Sequence, residues 1–269
     1  MHSMKNIFLL LISVLFAACG TSLKDSKAEK SEKQDSLAGR EFSDASFFEM
    51  RTYYCYPGKL EALKSRFRNH TLELFEKHGM TNIAYWEPQD NSDNKLVYLM
   101  AYPSRAARDS SWAAFSNDPQ WKKVYQESHQ DGPIVDSVIN AFYHYSVFSP
   151  RLKAEDLGPR IFSLRTYYTH PGKLEALRNR FANHTLSIFE RNGIHNLVYL
   201  DLDSTQTGQD HILTYLVTFS DTTARRLSWD AFREDPDWKS AYSASIQDGK
   251  LVDSITDEIL LATDFSPIK

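Results

Sequence analysis

Two short stretches of the sequence each carry an arginine and a tyrosine at alternate positions. They are Arg51 with Tyr53 and Arg165 with Tyr167, and each pair falls in an alternating pattern typical of a β-strand. Because successive side chains point to opposite faces of a strand, each arginine shares one face with its tyrosine, and Met50 lies on the other. A guanidinium on a covered face needs an acceptor, since an unpaired buried charge costs several kcal/mol.

Two kinds of acceptor suit these arginines. One is the anionic group of a ligand, which would make both arginine and tyrosine pairs candidate ligand-binding residues. The other is an internal carboxylate or a strand-end carbonyl. The acids that we consider for this second role are Asp136 and Asp253, or Glu61 and Glu175.

His70 and His184 are a second pair of candidate ligand-binding residues. On a helical wheel each stands at the flank of an apolar arc, from which a side chain could reach the mouth of a cleft between helix and sheet. An imidazole there can ligate a cofactor or transfer a proton, or it can be half-buried and hydrogen-bonded to backbone or tyrosine. No second histidine, cysteine or carboxylate stands at ligand spacing in both stretches, so we predict no duplicated metal site.

The paired candidates arise from an internal duplication. Residues 48–82 align with residues 162–196 with 22 of 35 positions identical, and the offset of 114 residues becomes 117 after an insertion near Thr205. Two copies of roughly 100 residues indicate a duplicated domain, because a solenoid needs at least three repeats. We predict domains at residues 47–150 and 160–267, joined by residues 151–160.

The order of periodicities within one copy predicts a ferredoxin-like βαββαβ unit of the α+β class. A helix with an apolar arc follows the first strand, and a polar hairpin separates the second and third strands. The predicted elements of the first copy are a strand at 48–54, a helix at 60–78, strands at 82–87 and 95–102, a helical stretch at 105–130 broken at Asp118-Pro119, and a strand at 134–148.

A four-stranded sheet with both helices on one side leaves its other face open. In this sequence that face also carries apolar and aromatic residues, so it should be covered, and the equivalent face of the other copy is the simplest cover. Two sheets packed in this way form an eight-stranded α/β barrel. The duplication would thus replace a homodimer by an intrachain pseudo-dimer, and further oligomerisation is left open.

Several motifs together resemble the NIPSNAP family, over residues 47–267. The second copy departs from the opening motif of the first, because Ser163 stands where the first copy has Glu49. The resemblance implies a dimeric α/β barrel, which agrees with the barrel expected from the pattern. The motifs are Glu49-Met50-Arg51-Thr52-Tyr53 with Pro57-Gly58-Lys59, Arg165-Thr166-Tyr167 with Pro171-Gly172-Lys173, the helical His70 and His184, Trp112 to Trp121 and Trp229 to Trp238, and the closing Phe148-Ser149-Pro150 and Phe265-Ser266-Pro267.

The chemical role that the resemblance implies is poorly defined, so two functions stay open. One is a protein that binds a small molecule or a protein partner, with no established catalysis and no predicted cofactor. The other is an enzyme similar to barrel monooxygenases or haem-binding proteins, with His70 or His184 and the strand arginines in one cleft. A closed cavity where histidine and arginine converge would favour the enzyme. A third alternative is a fully packed barrel that acts through its outer surface.

The N-terminus carries an expected cellular address. Lys5 precedes a 12-residue apolar run that ends at Ala18 and is too short to span a bilayer, for which about 20 residues are needed. The following Cys19 completes a sequence that resembles the lipobox of bacterial lipoproteins. We therefore expect residues 1–18 to be a signal peptide, Cys19 to be lipidated, and residues 19–46 to be a linker. The expected location is the bacterial cell envelope, on the outer membrane facing the periplasm. Gly20, directly after the cysteine, favours the outer membrane over the inner membrane.

Composition excludes some other classes of protein. The formal net charge is −4 and no long block of lysine and arginine occurs, which argues against a nucleic-acid partner. Two cysteines are too few for a disulfide framework or a multi-thiolate zinc site.

Overall fold

The computed structural model describes residue 42, residues 45–153 and residues 158–269. The predicted signal peptide, the lipidation site at Cys19 and nearly all of the predicted linker lie outside the described residues. The description below starts at the first strand. None of the helices in this part of the chain is long and apolar enough to cross a membrane.

The first repeat has the predicted order of elements. It consists of β1 (Phe47–Cys55), α1 (Leu60–Arg66), a π-helical turn (Phe67–Thr71), α2 (Leu72–Lys77), β2 (Thr81–Pro88), β3 (Lys95–Tyr102), α3 (Arg105–Asn117), α4 (Pro119–Ser128) and β4 (Val135–Tyr145).

The second repeat follows the same order. It consists of β5 (Ile161–Thr169), α5 (Leu174–Arg180), a π-helical turn (Phe181–Thr185), α6 (Leu186–Arg191), β6 (His195–Leu202), β7 (Ile212–Phe219), α7 (Thr222–Glu234), α8 (Pro236–Ser245) and β8 (Val252–Ala262).

The eight strands close into one antiparallel barrel in the order β1-β3-β2-β8-β5-β7-β6-β4. Two pairings join the repeats: Trp86 of β2 lies opposite Ala262 of β8, and Tyr143 of β4 lies opposite Leu202 of β6. The predicted eight-stranded barrel and intrachain pseudo-dimer are therefore confirmed. Closure also removes the open edges that each four-stranded sheet would have alone.

The inside of the barrel is an apolar core to which both repeats contribute. Phe48 and Met50 of β1 pack there with Phe162 of β5 and Trp86 of β2, all of them buried. Phe47, the strand neighbour of Phe48, belongs instead to the core between sheet and helices. Arg51 follows the same alternation, so it lies on the face opposite Met50, as predicted, and this face is the helix side of the sheet.

A reciprocal contact between the repeats explains the closing Phe-Ser-Pro motifs. Phe148 leaves β4 and packs 5.3 Å from the Tyr199 ring of the second repeat, while Phe265 packs 5.5 Å from the Tyr85 ring of the first. The next serine in each motif accepts a backbone hydrogen bond from that same tyrosine, at 2.9 Å. Strand β4 therefore ends at Tyr145 and not at Phe148 as predicted, because the Phe148 side chain packs against the second repeat.

The long helix that the wheel predicted at residues 60–78 is interrupted. The π-helical turn Phe67–Thr71 separates α1 from α2, and Phe181–Thr185 does the same in the second repeat. A π-turn winds by less than 100° per residue, so a wheel drawn with a constant period misplaces the side chains within it. Thr71 is buried in this turn, whereas His70 is exposed.

Candidate functional site

The candidate site of the first repeat lies between β1 and α3 and is centred on one buried acid. The Glu49 side chain is 0% exposed and accepts a hydrogen bond from Arg51 Nη1 at 2.7 Å. Arg108 on α3 donates to both carboxylate oxygens, through Nε at 2.8 Å and Nη2 at 2.7 Å. Two guanidinium groups thus enclose one carboxylate, a geometry that gives strong charge-assisted hydrogen bonds.

Trp112 and Tyr102 complete the ring of donors around Glu49. The indole Nε1 of Trp112 donates to Glu49 Oε2 at 2.9 Å and also lies 3.0 Å from the Tyr102 hydroxyl. The Arg51 guanidinium stacks on the indole, 4.5 Å from its centroid. Every polar atom that faces the carboxylate is therefore a donor, and this site is closed.

The electrostatics of this cluster follow from burial and from the two arginines. Burial alone would raise the pKa of Glu49, but the hydrogen bond from Arg108 and the charges of Arg51 and Arg108 outweigh it, and the pKa lies below its usual value. Burial would lower the pKa of Arg51, but the neighbouring Tyr98, Tyr53 and Glu49 raise it. The acid is ionised and both bases are charged at neutral pH.

The second repeat supplies the carboxylate from a different strand. Ser163 takes the place of Glu49, and Asp257 of β8 lies opposite Arg165 in the register, where the first repeat has Asn140 opposite Arg51. Asp257 pairs with Arg165, and its Oδ2 lies 2.5 Å from Arg225 Nη2. Asp257 therefore bridges two arginines from the neighbouring strand, whereas Glu49 does so from the same strand as Arg51.

Arg225 has a second acceptor in Ser163. Its Nε donates to the serine hydroxyl at 2.8 Å, so the guanidinium contacts β5 although the acid is gone. Arg165 donates to the Tyr215 hydroxyl at 2.9 Å and stacks 4.5 Å over the indole of Trp229.

Trp229 differs from its counterpart Trp112 in one respect. Its indole Nε1 is buried and has no hydrogen-bond partner among the described residues. The acceptors used by Trp112 are absent, because Ser163 replaces Glu49 and Phe219 replaces Tyr102. A buried donor left in this state costs roughly 1–3 kcal/mol.

A cavity of about 210 Å³ opens beside this cluster in the second repeat. We call it the second-repeat cavity; it is lined by Arg165, Arg225, Arg226, Trp229, Arg233 and Asp257. Four guanidinium groups face one carboxylate, a formal excess of three positive charges. Arg226 and Arg233 also pair with Asp230, at 3.4 and 2.5 Å, on the exposed side of α7. The first repeat has Asp109 and Ser116 at the positions of these two arginines.

The strand arginines thus have internal carboxylates, one of the two alternatives predicted, but the partners considered were wrong. Asp136 and Asp253 lie in the exposed first halves of β4 and β8. Glu61 and Glu175 are also exposed and pair with Lys64 and Arg178. Glu49 lies two residues before Arg51 on the same face, so alternation could have identified it although it was not among the acids considered. Asp257 could be found only from the register of β5 and β8.

The candidate histidines do not join this site. His70 and His184 are exposed in the π-helical turns, and His184 does not line the second-repeat cavity. Tyr53 and Tyr167 lie beside the arginines, with the guanidinium carbons 5.4 and 5.6 Å from the ring centroids. Each ring packs edge-on against a tyrosine of the neighbouring strand, with ring centroids 5.3 Å apart. The structure therefore brings the arginines and tyrosines together and leaves the histidines apart.

In the part of the chain that the structure describes, neither Cys55 nor a cluster of metal ligands adds a reactive group to this site. Burial raises the pKa of the Cys55 thiol to about 11, so this cysteine is a protonated core residue. Within residues 45–153 and 158–269, no group of three or more histidine, cysteine, aspartate or glutamate side chains is placed to hold a metal ion.

A closed barrel made from two ferredoxin-like repeats, with an arginine and tryptophan cluster under each helix pair, defines a dimeric α/β-barrel protein fused into one chain. The NIPSNAP family model matches it twice, over residues 48–150 and 162–267. The chain therefore belongs to the NIPSNAP family. Among curated proteins, none matches the chain.

Two solved structures with TM-scores above 0.5 share the fold at low sequence identity. A candidate monooxygenase from Fusobacterium nucleatum is 12% identical with a TM-score of 0.54, covering 81% of this chain and 92% of that one. Another from Lactobacillus acidophilus is 11% identical with a TM-score of 0.51, covering 81% and 94%. A NIPSNAP family protein of unknown function from Agrobacterium tumefaciens is 22% identical with a TM-score of 0.36, covering 41% and 96%.

Proposed function

We propose that this protein binds a small anionic molecule in the second-repeat cavity. The observation that carries the proposal is the excess of guanidinium groups over carboxylates in a concave site walled by Trp229. Guanidinium is planar, permanently charged and only weakly hydrated, which makes it the preferred partner of carboxylate and phosphate groups. The cavity volume of about 210 Å³ suits a small metabolite or an anionic end group.

Arg226 and Arg233, which we call the rim arginines, are available to such a ligand. The side chains of Arg226 and Arg233 are 65% and 59% exposed, and that of their partner Asp230 is 50% exposed. Ion pairs at this exposure contribute roughly 0–1 kcal/mol, so an incoming anion competes with Asp230 at little cost. Arg165 and Arg225, by contrast, are held by Asp257 and keep the inner wall of the cavity in place.

The test compares anion binding by the full chain with that of a variant that copies the first repeat. Isothermal titration of the wild type with inorganic phosphate and with succinate should show one site. The double variant R226D/R233S installs the residues that the first repeat has at these positions, and it should weaken binding at least tenfold, about 1.4 kcal/mol.

Two control variants separate a site from a general effect of charge. K122D/K123S changes the net charge by the same amount on α4 of the first repeat, and it should leave binding unchanged. R226K/R233K keeps the charge but removes the planar fork, and it should retain part of the affinity. The proposal fails if no anion binds the wild type, or if K122D/K123S weakens binding as much as R226D/R233S.

We further propose that the barrel is held at a bacterial outer membrane by lipidation of Cys19. The support is the apolar run that ends at Ala18 and the small residues before the cysteine. Several acyl chains would anchor the protein stably, at about 0.8 kcal/mol for each buried CH₂. In bacterial cells fed a radiolabelled fatty acid, the wild type should incorporate label and partition into detergent, and Cys19→Ala should do neither. Equal labelling of both would exclude this anchor.

A further inference from the structure

Part of β4 keeps a free edge although the barrel is closed. On one side β4 pairs with β1 from Val135 to Tyr143, but on the other side it pairs with β6 only from Tyr143 to Tyr145. Residues 136–140 are all exposed, so the rest of the described chain leaves this stretch largely uncovered. A strand edge in this state presents unpaired N–H and C=O groups to any strand that approaches it. We call residues 137–141 the free edge of β4.

The backbone groups on the free edge belong to Val138 and Asn140. Phe142 shows which way this edge faces, because its backbone N–H donates to Gln206 Oε1 at 3.4 Å and its C=O accepts from the Asp203 backbone N–H at 2.8 Å. The backbone groups of alternate strand residues point the same way, and the register with β1 has no irregularity between Val138 and Phe142. Val138 and Asn140 therefore each direct one donor and one acceptor to the free edge, where the described residues supply no partner.

The side chains of the free edge lack the usual protection against strand pairing. Natural edge strands carry lysine or proline, or are covered by another element. The free edge has none of these, and its sequence is Ser-Val-Ile-Asn-Ala, in which Val138 is 40% and Ile139 is 60% exposed. Because successive side chains alternate, these two residues present apolar surface on both faces of the strand. The free edge is therefore suited to pairing with an uncharged strand.

We infer that a second copy of this chain pairs with the first through the free edge, β4 against β4, in the antiparallel direction. A twofold axis at Ile139 places Val138 of each copy opposite Asn140 of the other, as a pair that exchanges both backbone hydrogen bonds. All the free donors and acceptors of both copies are then used. Ile139 lies opposite its own copy at a position without hydrogen bonds, where opposed side chains come closest. This interaction is independent of the anion binding proposed above.

The charge pattern of this register favours a second copy as the partner. Ser137 lies opposite Ala141, and Val138 lies opposite Asn140, so the paired stretch is uncharged throughout. Like charges directly across a strand pair are destabilising, and none occur here. A strand identical to the free edge thus satisfies its backbone groups and its apolar side chains together.

The corresponding stretch of β8 is protected against the same pairing. Thr256, Asp257 and Glu258 stand at the positions of the last three residues of the free edge. Two copies paired through β8 in this register would bring four carboxylates into a short interface and would oppose threonines where β4 opposes isoleucines. Glu258 is also held by Lys95 of β3 at 3.0 Å. This contrast selects β4 as the interacting edge and supplies matched control positions on β8.

Sedimentation velocity of the full chain, over a hundredfold range of concentration, tests for the dimer. The wild type should show a monomer–dimer equilibrium that shifts toward the dimer as the concentration rises. I139K opposes two lysines at the twofold axis and should weaken dimerisation at least tenfold. T256K introduces the same side chain at the corresponding exposed position of β8, and it should leave dimerisation unchanged.

A cysteine at position 139 tests the register directly. Opposed residues at a position without hydrogen bonds have Cα atoms about 4.5 Å apart, within the range that a disulfide spans. I139C should therefore form a cross-linked dimer on mild oxidation, and T256C should remain a monomer on a non-reducing gel. The wild type, which keeps Cys19 and Cys55, controls for cross-linking through the native cysteines.

Several results would overturn the inference. A wild type that stays monomeric at every concentration would mean that the free edge is covered by another segment or serves a different partner. A dimer that I139K leaves intact, or that T256K weakens as much, would place the interface elsewhere. Because Ile139 is exposed, I139K should stay folded, which circular dichroism checks. If it does not, failure of I139C to cross-link more than T256C is equally decisive.

Discussion

The two repeats share their arginines and tryptophans and differ in where the acid stands. In the first repeat Glu49 lies at the centre of the cluster with its side chain fully buried. In the second repeat Asp257 lies on the neighbouring strand β8, opposite Arg165, with its side chain 22% exposed. Glu49 is enclosed between strand and helix, whereas Asp257 forms part of the wall of the second-repeat cavity. The cavity and the unpartnered indole of Trp229 both occur on the side where the acid has moved.

Contacts that agree between the repeats hold helices to the sheet. Arg66 and Arg180 are buried, stack over a tryptophan and a tyrosine, and donate to Ser128 and Ser245 at 3.2 and 3.1 Å. Burial lowers the pKa of both arginines. Because this arrangement is the same in both halves, it is a property of the fold.

Contacts that differ between the repeats lie around the cavity. Asp109 and Ser116 are replaced by Arg226 and Arg233, and the acid moves from Glu49 to Asp257. These exchanges add positive charge on one side of the molecule only. Duplication thus lets the two repeats differ at this cluster while they keep the same fold.

The largest effect that we predict is a difference between Glu49 and Asp257 in how much each contributes to the free energy of unfolding. E49A leaves the guanidinium groups of Arg51 and Arg108 facing a buried site without their carboxylate, and it should lower the free energy of unfolding by about 3–5 kcal/mol. D257A removes an acid that is 22% exposed and leaves Arg225 and Arg165 the hydroxyls of Ser163 and Tyr215 as acceptors, so it should cost less, about 1 kcal/mol. Urea unfolding of the full chain, followed by circular dichroism, measures both.

The difference between these variants is the informative quantity. Equal losses would mean that Asp257 is as much a core residue as Glu49, and the contrast between a closed and an open site would be lost. E61A serves as a control, because Glu61 is exposed and its removal should change the free energy of unfolding by less than about 1 kcal/mol.

A smaller effect concerns pH and again distinguishes the buried acid. The pKa of Glu49 is lower in the folded protein than its usual value near 4.3, so its ionisation stabilises the fold at any pH above that value. The contribution is lost as the pH falls through the lower native pKa. The stability difference between wild type and E49Q should therefore be constant from about pH 7 to pH 5 and should shrink toward pH 3.

The pH prediction is checked by urea midpoints measured for both proteins across this range. Comparing the two proteins at each pH cancels the titration of other carboxylates. A difference that stays the same down to pH 3 would show that the charge of Glu49 does not contribute to the stability of the cluster.

The fold could be predicted from the sequence because it depends on patterns that repeat. Alternation placed Met50 and Arg51 on opposite faces of the sheet, and the duplication indicated that one copy would cover the other. The break between α3 and α4 was visible at Asp118-Pro119, where the aspartate side chain accepts from the Gln120 backbone at 2.7 Å. The π-helical turns were not visible, since a single inserted residue leaves little trace in a 3.6-residue period.

The site was predicted only in part. The arginines were recognisable as charges on a covered face, and Glu49 was within reach of the same rule. Asp257 and the rim arginines belong to elements about 60 to 90 residues away from Arg165 in the sequence, and only the register of β8 and the docking of α7 bring them together. The histidines were misplaced because their position depended on a regular helix.

The smallest effect that we predict concerns the indole hydrogen bond that Trp112 makes and Trp229 lacks among the described residues. Phe219 lies beside Trp229, with ring centroids 6.2 Å apart, at the position of Tyr102, whose hydroxyl lies 3.0 Å from Trp112 Nε1. F219Y should give the buried indole of Trp229 an acceptor and stabilise the protein by about 1 kcal/mol, and Y102F should destabilise it by less. Because Glu49 still accepts from Trp112, the loss in Y102F should be the smaller of the two. Urea unfolding gives both values, and ¹⁵N-tryptophan spectra should show the Trp229 proton moving downfield in F219Y. A destabilised F219Y protein would mean that the second repeat has closed around Arg225 and Ser163, with no room left for the hydroxyl.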